Sequence, residues 1–87
     1  MKRKDEFVKK ELAGQSIIVA VGEASKTFHG MIQLNSSGAF IWELLQNDLN
    51  ESAVVDAMLE EYDVERELAE KDVRAFLNIL LEAGAIE

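Results

Sequence analysis

The sequence predicts an α+β domain in which a three-stranded antiparallel sheet is followed by three helices. Three observations carry this. Short β-branched or apolar runs, separated by turn signals, fill the chain up to Leu34. Apolar residues at helical spacing fill the chain from Ala39 to Ala83. Between them lies Gly30–Gln46, GMIQLNSSGAFIWELLQ, where strand-like Met31-Ile32-Gln33-Leu34 meets the break Asn35-Ser36-Ser37-Gly38 and then an apolar helix.

Phe7–Leu12 alternates weakly and reads as the first strand, closed by the turn signal Ala13-Gly14-Gln15. Ser16–Val21, SIIVAV, is the strongest strand and completes a hairpin. Gly22–Thr27 is small and polar, a loop. Phe28–Leu34 is the third strand, with Phe28, Ile32 and Leu34 in phase and Met31 out of phase. Gly30 inside it suggests a bulge or a close backbone approach.

The first helix spans Ala39–Gln46 after a cap at Asn35 or Ser36. Ile41, Trp42 and Leu45 share one face and Phe40 and Leu44 an adjoining one, so this helix is the expected hub of the core. Asn47-Asp48 ends it. The second helix starts near the cap Asn50 and runs to about Tyr62, with Val55, Met58, Leu59 and Tyr62 on one stripe. The third starts between Glu65 and Glu70 and ends at Ala83, before the left-handed stop Gly84. Ala85-Ile86 is a short apolar tail suited to lie against the sheet.

At 87 residues the chain is one domain with a single small core, and residues 1–6 are expected to be a flexible tail. It has no cysteine, so thiolate metal sites and disulfides are excluded, which fits a cytoplasmic protein. Nothing approaches a membrane span or a signal peptide. Net charge is −8, and residues 11–87 carry four basic residues against fifteen acidic ones. Such a body repels phosphate backbones, so no nucleic-acid partner is expected. His29 is the only histidine, and the carboxylate pairs lie on polar helix faces. No catalytic group, metal site or cofactor is expected, and the chain does not read as an enzyme.

What remains is a strand edge. In a three-strand meander an outer strand offers unpaired N–H and C=O groups to which an extended peptide can add. Each backbone bond contributes about 0.5–1.5 kcal/mol, and micromolar binding needs roughly 8 kcal/mol, so apolar anchors must add to the bonds. The third helix has an apolar arc of about 200°, wider than a surface helix needs. Its Arg74/Leu77/Asn78/Leu81 flank is the expected groove wall.

Two separated blocks, MIQLNSSGAFIWELL and DVRAFLNILLEAGAI, resemble the pyrroloquinoline-quinone biosynthesis protein D family. The matching residues are Leu34-Asn35, Gly38, Trp42-Glu43-Leu44-Leu45, Asp72-Val73, Phe76-Leu77, Leu80 and Gly84, and the resemblance extends from about Phe7 to Ile86. Many members have a glycine after the first helix, where this chain has Asn47-Asp48. The resemblance implies a winged-helix-turn-helix-like fold and a peptide-binding role. It implies that the leader segment of a ribosomally made precursor adds to the third strand and is presented to a modifying enzyme, often a radical S-adenosylmethionine (radical SAM) enzyme. On this chain the implied contacts are Phe28, Met31, Ile32, Gln33 and Leu34 on the strand. Leu77 and Leu81 would receive apolar anchors, Arg74 a carboxylate and Asn78 a polar group.

Three other readings compete. A helix-turn-helix DNA regulator would need a basic recognition helix, and the third helix is acidic. A carrier protein would need an attachment serine, of which Ser36-Ser37-Gly38 is only an echo. A docking or regulatory subunit without its own peptide shares every feature above. A strand edge also fits a second copy of itself, which makes a homodimer through that edge a further expectation.

Overall fold

The computed structural model describes residues 1–87. Strands β1 (Phe7–Leu12), β2 (Gln15–Ala20) and β3 (Met31–Leu34) form an antiparallel sheet in the order β1-β2-β3. Helices α1 (Ser36–Leu44), α2 (Glu51–Glu61) and α3 (Arg66–Ala83) follow. The predicted α+β architecture is the observed one.

The β1–β2 hairpin has a two-residue loop in which Ala13 (φ 53°) and Gly14 (φ 81°) are both left-handed. That is the type I′ turn, whose twist matches the flanking strands. Asn35 caps α1, its Oδ1 accepting from the Gly38 N–H at 2.8 Å, and Asn50 caps α2 in the same way through Ala53. Gly84 ends α3 at φ 76°. Each element thus starts or stops where local chemistry directs it.

One face of the sheet packs on the helices. The core is a cluster of 16 buried side chains contributed by the inner face of the sheet (Phe7, Ile18, Ile32, Leu34), all three helices and the C-terminal Ala85-Ile86. Trp42, Ile18, Leu45, Val54, Val73 and Leu80 are among its most enclosed members. Ile17 is buried but lies outside this cluster, on the opposite face of the sheet.

Several boundaries differ from expectation, each for a local reason. The polar stretch after β2 is a 3-10 helix, Gly22–Lys26. The Thr27 and Phe28 N–H groups both donate to the Ala24 carbonyl, which delays β3 until Met31. Phe28 therefore leaves the strand and stacks on Phe7, ring centroids 5.6 Å apart. Gly30 precedes the strand, and the pairing from Val19↔Met31 to Ser16↔Leu34 is one-to-one, so no bulge forms. Helix α1 begins three residues before Ala39 because the Asn35 cap admits Ser36 to Gly38 into its first turn. It ends without a left-handed residue: Gln46 and Asn47 donate to the Glu43 and Leu44 carbonyls, and neither has positive φ.

The expected loose tail is instead fastened to the body. Arg3 forms a β-bridge with Ile86, and Lys2 and Glu87 exchange backbone hydrogen bonds at 2.9 Å. The Arg3 N–H donates to the Leu45 carbonyl, and its guanidinium sits 5.6 Å from the Trp42 ring centroid and donates to the Trp42 carbonyl. The terminal ammonium donates to Asp48 at 2.7 Å, which holds that carboxyl below its usual range. Backbone pairing with Ala85-Ile86 supplies the order that the charged composition of MKRKDE conceals.

Candidate functional site

Both outer strands of a three-stranded meander are edges, and hydrogen-bond alternation tells which groups each leaves free. The Val21 N–H donates to the Glu6 carbonyl, so Glu6–Val21 is a hydrogen-bonded pair. Such pairs alternate along an antiparallel ladder. Residues 8, 10 and 12 of β1 are therefore bonded to β2, residues 16 and 18 of β2 face β3, and Ile32 and Leu34 answer them. The groups of Met31 and Gln33 point away from the sheet. Ile32, expected to pair with a peptide, has its backbone committed to Ile18.

The helix beside this edge is α3. Its C-terminal end, Ala83-Gly84, lines a depression with Ala24 and Thr27, just before β3. Its middle meets the far end of β3: a Cβ placed on Gly38 would stand 3.4 Å from Leu34 and 3.5 Å from Phe76. Thus α3 runs past β3 in the opposite sense. A cavity of about 320 Å³ lies between the start of α1 and α3, just past the end of β3, lined by Asn35, Ser37, Gly38, Asp72, Phe76 and Ile79 among others. The absent side chain at Gly38 keeps this corner open.

The α3 flank on this side follows from helical geometry. At about 100° per residue, with Val73 at 0°, Phe76, Ile79, Asp72 and Ala83 fall near 240–300°. Leu68 and Ala75 fall near 200–220° on the same wheel. Leu77 and Leu81 fall near 40–80°, and Arg74 and Asn78 near 100–140°, on the other side. Ile79 and Leu81 are each 50% exposed, so the broad apolar arc overhangs the core equally on both flanks. Only the Ile79 flank borders β3.

The structure accordingly separates the two halves of the predicted site. Met31 and Gln33 are exposed on the open edge, while Ile32 and Leu34 are buried on the inner face and Phe28 packs on Phe7. On α3, Leu77 is 2% exposed and belongs to the core, so it cannot receive an anchor without unpacking. Arg74 donates to Glu51 of α2 at 3.0 Å, a contact that raises its pKa further. Asn78 lines a polar depression with Arg74 and Lys71, away from β3. Leu81 is exposed on the far flank. Asp72, Phe76 and Ile79, which line the cavity beside Gly38, are not among the residues expected from the sequence. Their signal was present in the arc of α3, but the choice of flank was not.

No three metal-binding side chains converge anywhere, and the His29 Nε2 is spent on the Lys26 carbonyl at 2.9 Å. No helix is long and apolar enough to cross a membrane.

An open strand edge beside an apolar helix flank defines a class of small α+β domains that offer a cleft between sheet and helix. Within that class the chain belongs to the PqqD family: residues 16–86 match the family described as coenzyme PQQ synthesis protein D. Two solved structures share the whole fold. One is TbiB1 in complex with the TbiA(beta) leader peptide, 28% identical with a TM-score of 0.76, the alignment covering 100% of this chain and 95% of that one. The other is a lasso peptide synthetase B1 complexed with the leader peptide, 25% identical with a TM-score of 0.71, covering 97% and 93%. A comparison with curated proteins returned no match.

Proposed function

We propose that this protein is a non-catalytic recognition element. It binds the leader of a ribosomally made precursor peptide by strand addition to β3 and presents it to a modifying enzyme. The observation that carries this reading is the uncharged β3 edge lying beside the Asp72/Phe76/Ile79 flank of α3. Support comes from a family match over most of the chain and from two neighbours of the same fold that hold leader peptides.

The energetics set the shape of the ligand. Met31 and Gln33 offer two N–H and two C=O groups, worth roughly 2–6 kcal/mol together. Micromolar affinity needs roughly 8 kcal/mol. The difference is about the burial of one or two large apolar side chains. Side chains of the added strand that point to the inner side would lie against Phe76 and Ile79. Residues Leu68 to Ala83 span roughly 22 Å at 1.5 Å per residue, enough for six or seven extended residues at about 3.3 Å each. Since β3 itself is four residues long, the leader continues past it toward Ser37 and Asp72.

The partner in this reading is a peptide-modifying enzyme, of which a radical SAM enzyme is the example that the family resemblance suggests. A homodimer through β3 would use the same Met31 and Gln33 groups and so compete with the leader. Amide NMR of the labelled protein, titrated with synthetic leader peptides encoded near its gene, tests the reading. Shifts concentrated in Met31–Asn35 and Asp72–Ala83 are expected. Saturable shifts elsewhere would keep peptide binding and discard this cleft. No shifts with any neighbouring leader would leave a docking subunit without its own peptide.

A further inference from the structure

The sheet has a second face that the core does not use. Across its three strands Val8, Val19 and Met31 stand opposite one another, forming an apolar row. In the next row Ile17 lies between Lys10 and Gln33, and it is 5% exposed although it belongs to no core cluster. Leu12, 55% exposed, completes the patch, and Met31 is 52% exposed. Among the residues of the three strands Lys10 is the only charge on this face, in a chain whose net charge is −8. No helix covers it, since all three pack on the other side.

We propose that this outer face is the docking surface for the modifying enzyme, and that the leader completes it. The proposal rests on the leader-binding reading above. Its occupant is a separate protein that presents an apolar surface with a carboxylate opposite Lys10. Three physical arguments favour that occupant over a second copy.

The first is area. Strands of six, six and four residues, at roughly 4.8 Å between strands and 3.3 Å per residue, cover about 250 Å². Two such faces bury about 500 Å², less than half of the roughly 1,200 Å² at which stable interfaces begin. The second is charge. Two bodies of −8 repel each other, and stacking two copies would bring one Lys10 near the other. The third is continuity. Met31 belongs to both the open edge and the outer face, so a leader strand paired to β3 extends this face by a fourth strand. Its outward side chains become part of the surface that the enzyme meets. An enzyme that also holds the precursor's distal segment gains from the link between the two contacts, so a small face suffices.

The test uses the full chain, a fluorescein-labelled leader peptide encoded near its gene and the purified modifying enzyme encoded beside it. Val8→Glu with Leu12→Glu alters β1 only, far from the β3 edge. Lys10→Glu is a milder variant that leaves every apolar residue of the face in place. Leader affinity by fluorescence anisotropy is expected to stay within about twofold of the parent, as distant sites are nearly independent. Enzyme affinity by interferometry, with leader present, is expected to fall about tenfold or more for the double variant and a few-fold for Lys10→Glu. The parent is expected to bind enzyme more tightly with leader than without. Enzyme affinity unchanged in leader-binding variants overturns the proposal. So does a parent dimer in sedimentation equilibrium that the variants abolish, which would give the face to a second copy. If the double variant does not fold, Lys10→Glu decides. A parent chain that binds enzyme but no leader instead overturns the leader-binding reading, and the measurement without leader separates that result from a failure of docking.

Discussion

The two edges of this sheet have the same backbone chemistry and opposite surroundings. Edge β1 carries Lys9, Lys10 and Glu11, and Lys9 reaches Glu43 of α1 at 3.6 Å. Arg3 and Lys4 of the fastened N-terminal segment lie beside it. Edge β3 carries no charge, and Phe76 of α3 comes close to its Leu34 end at Gly38. Charged side chains are how native sheets block edge-to-edge association. The contrast teaches that an open edge is not by itself a binding site. The proposed site is the edge where protection is absent and a neighbouring wall can hold side chains.

The largest expected effect abolishes both edges together. Leu77→Asp buries an unpaired carboxylate at a site 2% exposed and should cost at least about 3 kcal/mol. Thermal denaturation by circular dichroism is expected to show a chain largely unfolded near room temperature. A folded variant with selectively weakened leader binding would return Leu77 to the cleft.

A sharper comparison uses Ile79 and Leu81, which are equally exposed on opposite flanks of α3. Ile79→Asp should weaken leader binding by about 10- to 100-fold, the cost of losing one apolar anchor contact of roughly 1.5–3 kcal/mol. Leu81→Asp should leave it within about twofold. Calorimetric titration of both variants distinguishes the flanks, and equal losses would break the assignment.

The edges themselves are compared by proline. Gln33→Pro removes an outward N–H from β3, at a position where an edge strand tolerates the ring. Losing one backbone bond and crowding the added strand should weaken leader binding by about tenfold. Lys9→Pro removes the corresponding outward N–H from β1 and should leave leader affinity unchanged. Equal sensitivity would mean that β1 also accepts a strand.

The smallest effect lies at the anchored N-terminus. The ammonium beside Asp48 depresses its carboxyl in the folded chain, so the unfolded chain takes up that proton more readily. This contribution is complete above the ordinary aspartate pKa of about 3.9 and disappears as pH falls through the lower folded value. Asp48→Asn should therefore lower the melting temperature slightly at pH 6 and by less at pH 3, measured by calorimetry.

Much of this fold was legible because it is written locally. The cap residues Asn35 and Asn50, the turn Ala13-Gly14 and the stop Gly84 each act within a few residues of themselves. The shared face of Ile41, Trp42 and Leu45 is likewise a matter of helical spacing. What escaped reading depends on distant parts of the chain. The fastening of Arg3 to Ile86 is invisible in the composition of either end. The departure of Phe28 from β3 depends on the Ala24 carbonyl and on Phe7. The flank of α3 that borders β3 is fixed by how the helix is laid across the sheet. The arc of apolar residues on α3 is symmetric about Leu80 and Val73, so its pattern alone cannot choose between Ile79 and Leu81.

The bridge between Arg3 and Ile86 also has a topological meaning. It makes the path of the backbone nearly a closed ring, so the order in which the elements are joined matters little to the finished packing. A short linker across that bridge, with new termini opened at the exposed Asn47-Asp48 connection or the Ala13-Gly14 turn, should give circular permutants that fold. For the same reason the domain is suited to insertion within a host chain, entering and leaving at one corner while the β3 edge stays clear.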